Sequence, residues 1–90
     1  LGVSPGAPVF TPAELSVYGI YELQELERVL RQRDKQTIIS VSDAIRAKIG
    51  HRHGVDDLVF LTAYYRQLKA RMERDLLFGK RRENKYEALQ

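Results

Sequence analysis

The residues best suited to metal chemistry are the two histidines of His51-Arg52-His53. Imidazole nitrogens bind zinc, but a zinc site needs at least a third protein ligand. The nearest carboxylates, those of Asp56 and Asp57, belong to the same short polar segment. Because Arg52 repels a cation from between the two histidines, we expect a solvated connection between two helices and predict no metal site.

Two further patterns resemble phosphate-binding and acid–base sites, and neither is complete. Residues 79–81, Gly-Lys-Arg, are similar to the end of a phosphate-binding loop. They lack its upstream glycine and downstream serine or threonine, and they follow a predicted helix instead of preceding one. Glu22, Glu25 and Glu27 would need an apolar pocket to raise one pKa for acid–base work, and the sequence indicates a solvated face. We therefore predict no catalytic site, no cofactor and no enzymatic activity.

The composition places narrow limits on the class of protein. The 90 residues suffice for one domain, and the 43% hydrophobic and 30% charged fractions are those of a folded soluble protein. So short a chain buries only about 60% of its unfolded surface, which favours association.

The chain has no cysteine, which excludes disulfides, thiolate metal sites and cysteine nucleophiles. The compartment stays unknown, but the lack of cysteine and of a signal-peptide pattern favours a reducing, intracellular one. The short apolar runs predict no membrane span.

A basic segment near the end of the chain supports an alternative function. Residues 69–90 carry seven basic residues against four acidic ones. A run of lysine and arginine can neutralise phosphates, although the interleaved Glu83 and Glu87 weaken the field. The alternative prediction is therefore a small basic nucleic-acid-binding protein. Its candidate contacts are Lys80, Arg81, Arg82 and Lys85.

The element that positions these residues is a long amphipathic helix predicted over residues 55–78. Two alternatives remain for its end: Gly79 ends the helix, or the helix continues through the residues that follow. Its apolar stripe has spacings of three and four residues and consists of Leu58, Leu61, Tyr65, Leu68 and Met72. Charged residues occupy the opposite face. So narrow a stripe is typical of a helix that packs against another helix.

The start of the first helix has the strongest local signal. Thr11 and Glu14 form a T-x-x-E capping box, and Phe10 and Leu15 match a hydrophobic staple. Gly19 leaves two alternatives open: one helix over 12–32, or a turn over 12–18 followed by a second helix over 20–32.

The next helix is predicted over residues 35–49, with Asp34 as its N-cap and Gly50 just past its end. Its run Thr-Ile-Ile-Ser-Val is also compatible with a strand. We favour a helix because a single strand in a helical chain has no partner.

These elements predict an all-α fold, a small bundle of three helices with four as the alternative, in which the third helix is long and amphipathic. Residues 1–10 are expected to be a loose arm, 11–78 the helical domain, and 79–90 a basic tail or short helix. Proline and glycine at four of the first eight positions underlie the prediction for the arm. The candidate core residues are Leu15, Leu23, Leu26, Leu30, Ile38, Val41, Ile45, Ile49, Leu58, Leu61, Tyr65, Leu68 and Met72.

The predicted function is a non-catalytic protein-interaction module: a small subunit, adaptor or oligomerisation domain of a larger assembly. The long helix has more large apolar residues than one stripe can bury, so some are expected to face another chain. That chain is either a second copy or a different protein. The predicted partner contacts are Phe60, Tyr64, Leu77 and Phe78.

Overall fold

The computed structural model describes residues 7–50 and 54–88, and the side chains among them as far as Asp75. Four helices occur there: α1 (Pro12–Leu15), α2 (Ile20–Gln32), α3 (Lys35–Ile49) and α4 (Asp57–Ala88). These residues contain no strand. The prediction of a small all-α bundle is therefore confirmed.

The first predicted helix is divided at Gly19. At the start of α1, Thr11 Oγ1 accepts a hydrogen bond from Glu14 N at 3.1 Å, and Glu14 Oε1 accepts one from Thr11 N at 2.9 Å. Gly19 is extended, with φ −117° and ψ −157°. Its N–H donates to Oε1 of Glu22 at 2.8 Å. Because this carboxylate stabilises a new helix start, α2 begins after Gly19, and the two-helix alternative is correct.

A tight connection joins α2 to α3. Arg33 closes α2 in the left-handed conformation, with φ 58°. Asp34 then caps α3, because its Oδ2 accepts hydrogen bonds from Thr37 N at 2.9 Å and from Thr37 Oγ1 at 2.6 Å. α3 spans the predicted residues, so the β-branched run is helical. Gly50 follows with φ 71°, a conformation that glycine adopts without strain.

α4 is longer than predicted. It begins at an Asp56 cap, whose Oδ2 accepts a hydrogen bond from Leu58 N at 2.9 Å. The helix then continues through Gly79 to Ala88, so the predicted end near Phe78 is wrong and continuation is correct. A glycine inside a helix costs only about 1 kcal/mol, and the lysine, arginine and glutamate residues after it are good helix formers. None of the helices in the described part of the chain is long and apolar enough to cross a membrane.

α4 is also the centre of the core, because α1, α2 and α3 all pack against it. Every predicted core residue is buried or packs against the buried cluster. The fully buried face of α4 is rotated about the helix axis relative to the predicted stripe, away from Leu58 and Tyr65. Its fully buried large side chains are those of Phe60, Leu61, Tyr64 and Leu68.

The end of the N-terminal arm is attached to this core, which corrects the prediction of a loose arm for residues 7–10. Phe10 is buried, and its N–H donates to Oε1 of Gln67 at 2.8 Å. Nε2 of Gln67 donates to the carbonyl oxygen of Pro8, also at 2.8 Å. One amide side chain thus satisfies a backbone donor and a backbone acceptor of a segment without secondary structure. Residues 1–6 lie outside the described residues.

Candidate interaction groove

Phe60 and Tyr64, two of the four predicted partner contacts, lie in an aromatic cluster inside the domain. The ring of Phe10 makes edge-on contacts with Phe60 and Tyr64, at centroid distances of 5.5 and 4.9 Å. Tyr18 meets Tyr64 in the same way at 6.0 Å. Because Phe60 and Tyr64 are fully buried by their own chain, their assignment to a partner surface is wrong. α1 and the N-terminal arm cover this face of α4, which was predicted to contact another chain.

Two polar side chains beside this cluster contribute to holding the fold together. The hydroxyl of Tyr64 donates to the carbonyl oxygen of Glu14 at 2.7 Å. Burial raises the pKa of Tyr64 to about 12, with smaller contributions from Tyr18 and Glu14. On the opposite edge, the guanidinium of Arg46 lies 4.4 Å from the centre of the Phe60 ring. These contacts join α1 and α3 to the central helix.

A second group of polar contacts fixes the connection between α3 and α4. Arg46 donates to the carboxylate of Asp57, and to the carbonyl oxygen of Val55 at 2.8 Å. The fully buried Ser42, one turn earlier on α3, donates to the carbonyl oxygen of Asp57 at 3.2 Å. With these partners, Ser42 and Arg46 act as structural anchors for the start of α4.

The remaining predicted site residues belong to the last part of α4. Leu77, Phe78 and the four basic residues Lys80, Arg81, Arg82 and Lys85 follow Asp75, after which only the backbone is described. Their assignments to a protein partner and to nucleic acid therefore stay predictions. What the structure adds is that their backbone is helical.

A surface feature that the sequence did not reveal is a groove between α2 and α3. Both helices pack more extensively against α4 than against each other. The space left between them has a volume of about 270 Å³, and its walls expose almost only apolar atoms. The lining residues are Tyr18, Glu22, Glu25, Leu26, Ser40, Val41, Ala44 and Ile45.

The charge around the groove is acidic, because Glu22 and Glu25 are the charged residues among those that line it. Glu22 Oε1 accepts the hydrogen bond from Gly19 at the start of α2. Glu25 is paired with Arg28 at 2.6 Å, and this hydrogen bond, together with the charge of Arg28, lowers the pKa of Glu25. Burial raises the pKa of Tyr18, and the nearby Glu22 raises it further. The groove thus combines an apolar floor with carboxylates along its α2 side.

Two of the four lining residues on the α3 side of the groove are small. Ser40 and Ala44 are exposed there, one turn apart. Short side chains allow the backbone of another helix to approach closely. Ile20 and Tyr21, near the start of α2, are exposed at 50% and 78% of their maximal accessibility and are not among the residues that line the groove.

The spacing of apolar residues in α3 does not reveal this groove. Ile38, Val41, Ile45 and Ile49 form one stripe, which spans about 80° at 3.6 residues per turn. Ile38 and Ile45 are buried, whereas Val41, at the edge of the stripe next to Ala44, is half-buried and lines the groove. The sequence therefore predicts a core position for Val41 and gives no signal for the groove beside it.

Comparison of the chain with protein-family models, with curated proteins and with solved structures gives no match. A function is accordingly inferred from the chemistry of the groove.

Proposed function

We propose that this chain is a non-catalytic interaction module whose α2–α3 groove binds an amphipathic helix of another protein chain. The observation that carries the proposal is the open, almost wholly apolar groove between two helices. Exposed apolar surface with a polar rim is typical of sites that bind proteins. A non-catalytic role fits the two carboxylates, because Glu22 and Glu25 already have partners in Gly19 and Arg28.

The lining residues of the groove lie within residues 18–26 on the α2 side and residues 40–45 on α3. Six residues of α3 correspond to about 9 Å at 1.5 Å per residue, which is the length of nearly two helical turns. A helix laid along the groove presents large apolar residues at positions i, i+3 or i+4, and i+7. Ser40 and Ala44 allow such a helix to approach α3 closely.

The charge of the groove determines which helices fit best. Glu22 favours lysine or arginine beside the apolar stripe of the bound helix, and Glu25 does so more weakly because Arg28 already balances its charge. Both carboxylates lie at an exposed rim, so their attraction contributes more to the rate and specificity of binding than to its strength, and added salt screens it. The expected ligand is therefore an amphipathic helix with basic residues next to its apolar face.

A designed peptide tests this proposal directly. We expect a 14-residue helical peptide with a leucine stripe flanked by lysine to shift backbone NMR resonances of α2 and α3 around the groove. The same peptide with glutamate in place of lysine should bind less tightly, because its charges meet Glu22 and Glu25. Ala44→Glu should weaken binding of the lysine peptide at least tenfold, because it places a charge in the apolar groove.

Ala47→Glu is the matched control, because Ala47 is exposed on α3 and does not line the groove. It should leave the affinity for the lysine peptide nearly unchanged. Shifts that do not concentrate around the groove, or equal binding by the Ala44→Glu variant, would contradict the proposal.

A further inference from the structure

α4 continues well beyond the core that it organises. Met72 is the last of its described side chains that packs against the buried cluster, and the helix continues to Ala88. The 32 residues of α4 correspond to about 48 Å at 1.5 Å per residue. The molecule measures 50 × 26 × 24 Å, so its long axis matches the length of this helix. The last part of α4 therefore extends from the end of the bundle.

The continuity of α4 through Gly79 brings basic residues on both sides of this glycine into register. Positions 71, 74, 78, 81 and 85 are separated by three or four residues, which is the spacing of neighbours along one side of a helix. Phe78 holds the central position, and position 82 lies beside the others. The five basic residues at these positions form what we call the basic stripe: Arg71, Arg74, Arg81, Arg82 and Lys85.

Most acidic residues of this part of α4 lie on the other side of the helix. At 3.6 residues per turn, every position of the basic stripe is within about 60° of Phe78. Glu73, Glu83 and Glu87 are about 140° or more from Phe78, and Lys80 lies among them at about 160°. Charges that alternate along the sequence are thus separated on the helix into a basic side and a mostly acidic side.

Asp75 is the acidic residue at the edge of the basic stripe. Its Oδ2 lies 3.8 Å from Nε of Arg71, and its side chain is 58% exposed. Water screens so long and exposed an ion pair, which therefore contributes little to stability. Arg71 can exchange this partner for another anion at small cost. Arg74, on the same stripe, is exposed.

We propose that the basic stripe binds the phosphate backbone of double-stranded DNA without regard to base sequence. The 14 residues from Arg71 to Lys85 form a row of positive charge about 21 Å long. A DNA duplex carries one negative charge per about 1.7 Å of its axis, which this row complements. The stripe lies on a part of the chain other than the α2–α3 groove, so the inference goes beyond the proposed function.

The shape of the projecting helix favours DNA over duplex RNA. An α-helix with its side chains is about 10–12 Å across, and the major groove of B-DNA is about 12 Å wide. The projecting part of α4 therefore fits this groove as a single helix. The major groove of an RNA duplex is too deep and narrow for side chains to enter.

An anionic membrane attracts the same charges but also requires an apolar face on the helix. This part of α4 supplies no such face, because Leu76, Leu77 and Phe78 are consecutive and lie about 100° apart around the helix axis. Phosphate binding by a basic stripe needs no apolar face. DNA is therefore the favoured occupant.

The test measures binding of the full chain to a short fluorescent DNA duplex by anisotropy over a range of salt concentrations. Five phosphate contacts give a slope of log K against log salt of about −4.5, because each contributes about −0.9. Arg81→Gln removes one contact, so the slope should become shallower by about 0.9 and the affinity near 0.1 M salt should fall roughly five- to tenfold. Glutamine is a good helix former, and circular dichroism should show unchanged helix content.

Lys80→Gln is the matched control, because it removes the same charge from the adjacent position on the other side of the helix. It should change the affinity for the duplex by less than about twofold, since it leaves all five contacts in place. Asp75→Asn should strengthen binding, because it removes the negative charge beside Arg71. Glu73→Gln, which removes a negative charge from the acidic side, should strengthen it less.

The proposal fails if the parent chain does not bind the duplex at low salt, or if Arg81→Gln and Lys80→Gln weaken binding equally. It also fails if the salt slope of Arg81→Gln equals that of the parent. Binding of single-stranded DNA, duplex RNA or vesicles with anionic lipid as tightly as duplex DNA would overturn the assignment of the stripe to double-stranded DNA.

Discussion

The hydroxyl of Tyr64 allows a direct test of how α1 is held on the central helix. It belongs to a fully buried residue and donates to the carbonyl oxygen of Glu14 at 2.7 Å. Tyr64→Phe keeps the ring and removes this hydrogen bond. Since Glu14 is only half-buried, water can partly replace the lost donor, and we expect the free energy of unfolding at pH 7 to fall by about 1 kcal/mol.

The effect of this substitution should change with pH. An unfolded tyrosine has a pKa near 10, whereas burial raises the pKa of Tyr64 to about 12. Below about pH 10 the hydroxyl is protonated in both states, so its full contribution is present. As pH rises from about 10 to 12, the unfolded state ionises first, and the parent chain loses stability. The difference between these two pKa values corresponds to about 3 kcal/mol. We expect a loss of roughly 1 to 2 kcal/mol, because water screens the charge beside half-buried Glu14.

The Tyr64→Phe variant has no hydroxyl to ionise at this position. The free energies of unfolding of the variant and the parent chain should therefore converge near pH 11. Urea unfolding followed by circular dichroism at several pH values between 7 and 11.5 measures the difference between the proteins. The lysines and other tyrosines titrate in both, and their effects largely cancel. Tyr21→Phe is the control, because Tyr21 is 78% exposed, and it should change stability by less than about 0.5 kcal/mol. A difference between Tyr64→Phe and the parent that stays constant from pH 7 to 11.5 would refute the reasoning.

Two further predictions concern helix starts and the N-terminal arm. Gly19→Ser should raise the free energy of unfolding by about 0.5 to 1 kcal/mol, because Gly19 is an extended N-cap residue without a side-chain acceptor; an unchanged urea midpoint would contradict this. Gln67→Ala should lower the free energy of unfolding by about 1 to 3 kcal/mol, because both hydrogen bonds to the arm are lost. It should also speed proteolysis near Phe10. Glu73→Ala, at an exposed site on α4, is the control, and equal proteolysis rates would count against the attachment of the arm by Gln67.

The ends of the helices could be predicted from the sequence because each depends on a few adjacent residues. Thr11 with Glu14, Asp34 and Gly50 occupy the cap positions predicted for them. Each cap satisfies a backbone group within a few residues of itself, so its signal is local. The sequence leaves the choice at Gly19 open because glycine has no side-chain oxygen and therefore supplies only half of a capping box, the N–H that donates to Glu22.

The orientation of α4 could not be predicted in the same way. Leu61 and Leu68 are central both to the predicted stripe and to the observed core. On a helix, Phe60 and Tyr64 lie to one side of this pair, and Leu58 and Tyr65 to the other. The spacing of apolar residues does not show which of these two sides of the helix is buried more deeply. What decides between them is Phe10, a residue 50 positions earlier than Phe60, whose ring packs against Phe60 and Tyr64.

The same packing explains why a groove remains between α2 and α3. The aromatic contacts of Phe10 and Tyr18 place the arm and α1 beside Tyr64, and α1 is only four residues long. Two full-length helices, α2 and α3, then pack on α4 more than on each other. Helices commonly bury their apolar faces in bundles of four, and this chain has three helices longer than one turn in its described residues. A helix from another chain, lying between α2 and α3, would cover the half-buried Tyr18 and Val41 and complete such a bundle.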